Sequence, residues 1–285
     1  MRLSRGTNIA LRIMVGLTLA FIYVPLAIIC IYAFSSSNSL EWPPPGFTTH
    51  WFKDAIDNPG ARDAFLTSVK VGLIATAIAL ILGTLASLAV ARHRFFGRET
   101  ISFLVILPIA LPGIVTGIAL NSTFSQVFGI SLSMFTVVVG HATFCIVVVY
   151  NNVIARLRRV SANFEEASAD LGAHTWQTFR YVTLPNMRGA LVAGALLAFA
   201  LSFDEIIVTT FTIAAGDQTL PIWFFNNFAR PNNIPIVNAV AVIVILISII
   251  PVYIANRLTQ VDGGGRAGAA PAGGAATAAE ATAVP

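Results

Sequence analysis

The chain has 285 residues, of which 56% are hydrophobic and only 11% charged, and its mean hydropathy is +0.79. Soluble domains carry about 25% charged residues, so an ordinary cytosolic globular protein is excluded. The formal charge of +4 invites a nucleic-acid partner, but the placement of the basic residues, given below, argues against one.

Six apolar blocks follow one another: Ile9–Phe34, Phe65–Val90, Ile101–Phe124, Met134–Ile154, Gly189–Ala215 and Ile234–Ile254. About 20 apolar residues at about 1.5 Å each cross a hydrocarbon core about 30 Å thick. No water is available there, so the backbone must bond to itself and helices are expected. The predicted fold is all-α: a polytopic membrane protein with six transmembrane helices over residues 1–261 and a tail over 262–285. Large buried helices of a soluble protein are the alternative, and the block lengths disfavour it.

The stretch MRLSRGTN before the first block resembles a signal-peptide start. The block is too long for one and no small-residue cleavage site follows it, so it reads as a retained span. The connection 35–64 carries prolines that forbid a long helix at its start. Its Trp42, Trp51 and Phe52 suit a membrane interface or a docked partner. The third block contains LPIALPGIVTG, where Pro108 and Pro112 each remove a helix hydrogen bond and Gly113 and Gly117 lower helix preference. A kinked or broken helix is expected, either lining a pathway or making a packing kink. His141, near the outer start of the fourth block, reads as a polar packing residue rather than a proton relay.

The connection 216–233, GDQTLPIWFFNNFARPNN, is expected as an interfacial helix, a docking surface or an aromatic belt. The tail, rich in Gly, Ala and Pro, lacks a core-forming pattern and is expected to be a disordered cytoplasmic end. Thirteen of the seventeen Lys and Arg fall at the chain ends or in the even-numbered connections. That bias places both termini and the loop 155–188 in the cytoplasm. The basic charge is thus a topology signal, with membrane lipid as the partner and no nucleic acid.

Within that loop lies EEASADLGAHTWQTFRYVTLP, residues 165–185. Phe164, Ala167 and Leu171 recur at helical spacing and form an apolar edge, while Glu166 and Asp170 share another. Ser161 is placed to cap the helix start, where Glu165 and Glu166 meet the positive dipole end. Gly172 permits a left-handed turn that ends the helix. A second amphipathic piece, Thr175–Val182, follows, and Pro185 is expected to hold Leu184 extended. A short helix, a glycine corner and a second helix form a docking knob with acids to set register. The alternative, a helix lying on lipid headgroups, is disfavoured by those acids.

The spacing Glu166-Ala167-Ser168, three residues, Gly172, nine residues, Val182, one residue, Leu184-Pro185 resembles the EAA loop of binding-protein-dependent ABC importers. Ser168 replaces the second alanine and Val182 the usual isoleucine. The stretches GFTTHWFKDAI, SVKVGLIATAIALILGTLASLAVARHRFFG, GHATFCIVVV and ALLAFALSFDEIIVTTF resemble the second permease of spermidine/putrescine importers. The resemblance covers about residues 1–258 and implies a permease subunit of the bacterial inner membrane. It implies that the loop is a coupling element seated on an ATP-binding subunit, with Glu165, Glu166, Ala167, Asp170, Leu171, Gly172, Leu184 and Pro185 taking part. It also implies two such ATPase subunits, a sibling permease in a heterodimer and an extracytoplasmic solute-binding protein. ATP and Mg would be bound by the partner, since this chain has no GxxxxGK[ST] loop. Another small solute (an opine, a cationic amino-acid-like compound or an organophosphonate) and a stand-alone secondary transporter are the rival functions.

The stretch LSFDEIIVTTF places Asp204 and Glu205 inside the fifth block. A carboxylate at the bilayer centre costs roughly 2.5–3.5 kcal/mol, so both are expected to face protein or water. They form, with Pro108 and Pro112, the candidate translocation path; bonding to backbone or to a partner permease is the structural alternative. Cys30 and Cys145 both lie in apolar blocks and suggest neither a disulfide framework nor a metal site. No catalytic constellation or cofactor motif is present in the sequence.

Overall fold

The computed structural model describes residues 4–161, 163–230 and 233–263. Its helices, in order, are α1 (Arg5–Ala33), α2 (His50–Asp57), α3 (Pro59–Arg92), α4 (Arg98–Ala110), α5 (Gly113–Ser122), α6 (Met134–Leu157), α7 (Asn163–Asp170), α8 (Thr175–Thr178), α9 (Leu184–Phe203), α10 (Ile207–Thr212), α11 (Leu220–Phe228) and α12 (Ile234–Gly263). No strand forms among the described residues, only an isolated bridge between Ser35 and Phe47.

Local sequence sets several boundaries. Asn58 Oδ1 accepts from the Ala61 amide at 2.9 Å, and Pro59 opens α3 where a missing N–H costs nothing. Ser4 caps α1 in the same way through the Thr7 amide. Helix α12 runs through Gly263, so Asp262 and Gly263 extend the last helix; the rest of the expected tail, 264–285, lies outside the described residues.

The centre of the molecule is α3, α6 and α9. Ala79, Cys145, Val149, Val153, Met187 and Ala198 form a buried cluster where the three meet. Lipid is as apolar as a leucine side chain, so such helices associate through close packing of small residues. A Cβ at Gly83 would stand 3.0 Å from the Ile146 carbonyl oxygen, and one at Gly72 would stand 3.0 Å from the Phe199 ring. Ser87 Oγ donates to the Tyr150 carbonyl at 3.1 Å, joining α3 to α6.

A second cluster gathers α2, α11 and α12 on the outer part of α3, with Ala61, Leu220, Trp223 and Val240 buried. The Trp51 indole donates to the Ser35 carbonyl at 2.8 Å, and Trp51 and Phe52 pack on this cluster, while Trp42 is exposed. The 216–233 connection therefore carries an anchored helix. The Leu220 amide donates to the buried Ser68 hydroxyl at 2.9 Å, leaving Phe225 and Phe228 outside.

Among the described residues five helices are long and apolar enough to cross a membrane, and α4 with α5 and its continuation to Val127 makes a sixth candidate bent by 103°. The bend falls at Leu111-Pro112, where the sequence predicts a kink or break; Leu111 is extended and Pro112 precedes α5. Arg92 and Glu165 decide how to count the bent pair. They are in contact, so they lie on one side of the membrane. Helix α6 crosses between them once, so α4 and α5 together must supply the other crossing.

The fifth block departs from a continuous span over 189–215. Helix runs from Thr175 to Phe203 without interruption, stops at Asp204, and resumes at Ile207. The expectation that Pro185 holds Leu184 extended also fails, because Leu184 is helical (φ −61°, ψ −46°). A π-helical turn over Phe179–Thr183 precedes it, with the Leu184 amide bonded to the Phe179 carbonyl. The wider turn accommodates the proline without ending the helix.

Candidate functional site

Two places concentrate polar chemistry in this apolar chain. The first is the loop between α6 and α9. The Ser161 hydroxyl accepts from the Asn163 amide at 3.2 Å and starts α7. At the other end the Gly172 amide bonds to the Ala169 carbonyl at 2.9 Å and the Ala173 amide to the Ser168 carbonyl at 3.1 Å. Those two bonds are the Schellman pattern, and Gly172 takes the left-handed conformation it needs (φ +83°). Ser168 and Thr178 share a hydrogen bond of 3.0 Å that folds α8 against α7.

Leu171 is 88% exposed and Phe164 56%, while Trp176, 63% exposed, lines an apolar groove between α3 and α9. Glu166, Ala167 and Asp170 are exposed around them. Glu165 is turned the other way. Its Oε1 accepts from Arg92 Nε at 3.1 Å and from the Thr183 hydroxyl at 3.0 Å, with Arg92 Nη2 3.0 Å away. Leu184 and Pro185 are half-buried at the start of α9. Arg92 entered the sequence reading only as a topology marker, and Thr183 not at all.

The second place is the break in the fifth block. No proline or glycine lies there; side chains satisfy the freed backbone instead. Glu205 Oε1 accepts from the Val208 amide at 2.8 Å, and the Thr209 hydroxyl donates to the Glu205 carbonyl at 2.8 Å. At the far end of α10, Asn121 Nδ2 donates to the Phe211 carbonyl and the Thr136 hydroxyl to the Thr212 carbonyl, both at 2.6 Å. His141 is fully buried, with one ring nitrogen 2.7 Å from the Ser202 hydroxyl and the other 2.8 Å from the Thr209 hydroxyl. It thus bridges both sides of the break as a polar packing residue.

The two acids differ. Glu205 is half-buried and spends its carboxylate on α10. Asp204 is exposed, and its carboxylate has no hydrogen-bond or ion-pair partner among the described residues. The break in the third span lies beside it. A Cβ on Gly113, the first residue after that break, would stand 3.7 Å from Ile207, the first residue of α10. Further along, a Cβ on Gly117 would come within 2.7 Å of the Phe211 ring. A cleft of about 250 Å³ lined by Pro108, Leu111, Thr116 and Thr143 borders the third-span break, and Pro112 is exposed at it. Asp204, Glu205 and Pro112 thus share one region, with Pro108 one helical turn away. By contrast, a groove of about 840 Å³ between α3 and α9 has no ionisable side chain and does not suit a charged solute.

Residues 79–260 match the family described as the binding-protein-dependent transport system inner membrane component. The chain belongs to this family.

The permease is 31% identical over 242 residues to the spermidine/putrescine transport system permease protein PotC of Haemophilus influenzae, covering 85% of this chain and 93% of that one. It is 32% identical over 232 residues to the putrescine transport system permease protein PotI of Escherichia coli K12, covering 79% and 82%. Among solved structures, a bacterial ABC transporter that imports the acidic polysaccharide alginate superposes with a TM-score of 0.69 at 18% identity, covering 91% of this chain and 98% of that one. The permease is therefore a multi-pass membrane subunit of an ABC importer. Its family implies an ATPase and a binding protein as partners.

Proposed function

We propose that this permease forms half of the translocation pathway of a polyamine importer, for solutes such as spermidine and putrescine. The observation that carries the reading is Asp204, a carboxylate without a hydrogen-bond or ion-pair partner among the described residues, at the break in an apolar span beside the broken third span. Discontinuous helices at mid-membrane are a recurrent way to build a solute site, because their ends expose backbone dipoles away from lipid. A free carboxylate there suits a solute that carries ammonium groups. The permeases named for polyamines that resemble this chain support the same solute class.

On this reading the chain binds no cofactor. ATP and Mg sit on two partner ATPase subunits, which dock on α7 and its corner, at the exposed Phe164 and Leu171 with Glu166 and Asp170. A sibling permease completes the pathway as a heterodimer, a solute-binding protein delivers the cargo from outside, and both termini face the cytoplasm. Closure of the ATPase pair rocks the two permease halves between inward and outward access.

The test is reconstitution in liposomes with the ATPase, the sibling permease and the binding protein, followed by uptake of labelled putrescine and spermidine. ATP-dependent uptake that Asp204→Asn weakens supports the proposal. Uptake that persists without any ATPase would make the permease a secondary transporter. Binding of an opine or an organophosphonate, and not a polyamine, by the binding protein would reassign the cargo.

A further inference from the structure

One carboxylate oxygen joins three elements that lie far apart in sequence. Arg92 is the last residue of α3, Glu165 is in the first turn of α7, and Thr183 closes the π turn that leads into α9. Two hydrogen bonds, from Arg92 Nε at 3.1 Å and the Thr183 hydroxyl at 3.0 Å, fall on Oε1, and Arg92 Nη2 faces the same oxygen at 3.0 Å as an ion pair without hydrogen-bond geometry. The Arg92 and Glu165 side chains are 18% and 24% exposed, and Thr183 is buried. Each charge sits where its helix dipole favours it, the cation at a C-terminus and the anion at an N-terminus. Around this point the loop is tied twice more: Ser168 to Thr178 at 3.0 Å, and Arg156 Nε to the Asn186 carbonyl at 2.8 Å.

We infer that the Arg92–Glu165–Thr183 cluster is a force-transmitting latch, with Glu165 a positioning residue that makes α7 move as one body with α3 and α9. This rests on the reading of α7 as the ATPase-docking helix. The exposed Glu166 and the Arg92-facing Glu165 are neighbours on the same short helix, about 100° apart around its axis, so a push on Glu166 and the adjoining Leu171 is delivered through Glu165. Helix α9 then carries it about 30 Å, at about 1.5 Å for each of its residues, to the break at Asp204. Without the latch, α7 would still dock, but its displacement would be absorbed by the loop on either side of it.

The experiment uses the assembled complex with its ATPase. Spin labels at His93→Cys and Ala169→Cys, both exposed positions, are placed on a Cys30→Ser background; Cys145 is fully buried and stays unlabelled. Electron paramagnetic resonance then reads the α3–α7 separation with and without ATP. The chain with native Arg92 and Glu165 should give the same separation in both states. Glu165→Gln keeps the shape and can still accept from Thr183, but it loses the ion pair; its separation should shift or broaden when ATP is added, with the ATPase still bound. The exchange Arg92→Glu with Glu165→Arg should restore the fixed separation.

A separation that changes with ATP while Arg92 and Glu165 are intact overturns the latch, as does a Glu165→Gln complex indistinguishable from it. Release of the ATPase by Glu165→Gln also overturns it, by making Glu165 a docking residue. Failure of the docking reading looks different, since Glu166→Lys and Leu171→Asp would then leave the ATPase bound.

Discussion

Glu205 caps the amide of Val208: its Oε1 lies 2.8 Å from the nitrogen three residues on. The adjacent Asp204 has no such duty. Two neighbouring acids in one apolar stretch thus divide into a structural residue and a free one, and substitution should separate them. Asp204→Asn should raise the KM for polyamine uptake about tenfold, near 1.4 kcal/mol of lost binding, with thermal stability unchanged. Glu205→Ala should lower stability by about 1 kcal/mol through loss of the cap, while Glu205→Gln, which keeps an acceptor oxygen, should retain most of it. Uptake kinetics and thermal unfolding in detergent check the pair; equal effects at both positions would refute the division.

Gly117 and Phe211 form the tightest helix contact near the breaks. A Cβ at 117 meets the ring at 2.7 Å, so Gly117→Ala should cost about 1–3 kcal/mol by overpacking. Phe211→Leu in the same chain should recover part of that loss. Thermal unfolding of the two single variants and the double variant supplies the cycle, and simple additivity would mean the residues are not in contact.

His141 is bonded on both ring nitrogens. Replacing it by Ala leaves the buried Ser202 and Thr209 hydroxyls each without that partner, at about 1–3 kcal/mol per unsatisfied group. His141→Ala should therefore destabilise the permease strongly. The observation to make is hydrogen exchange at the amides of 204–210, which should quicken first; uniform acceleration along the chain would argue against a local clamp.

Gly172 has open space where a Cβ would go, but its φ of +83° is costly for any other residue. Gly172→Val should strain the corner by about 1–2 kcal/mol and swing α8 away from α7. ATPase co-purification should fall at least tenfold with membrane insertion intact. Glu166→Lys should give the same result by charge reversal, and normal ATPase capture by both would return the loop to a linker.

Much of this structure is legible in the sequence, for identifiable reasons. Block length and the absence of water in lipid dictate the helices. Gly172 sits where the loop needs a left-handed turn. Pro108 and Pro112 announce the third-span break because each removes a backbone donor. The fifth-span break carries no such mark: LSFDEIIVTTF reads as continuous helix, and its interruption depends on Asn121, Thr136 and His141, all distant in sequence. Leu184 misleads for a related reason. The restriction a proline places on its neighbour is real, but a π turn upstream absorbs it. The local pattern sets Glu166 apart, on one edge with Asp170 and at the head of the EAA spacing, but the inward role of Glu165 depends on Arg92, 73 residues away.

That separation also bears on how the protein is made. Arg92 is synthesised when the chain has completed two crossings, and Glu165 emerges only after two more. While only one of the two intervening spans has crossed, the charges lie on opposite sides of the membrane and cannot meet. The Arg92–Glu165 pair is thus sensitive to threading: a chain that places only one of its third and fourth spans holds the two charges apart and leaves an unmatched arginine at the end of its second span.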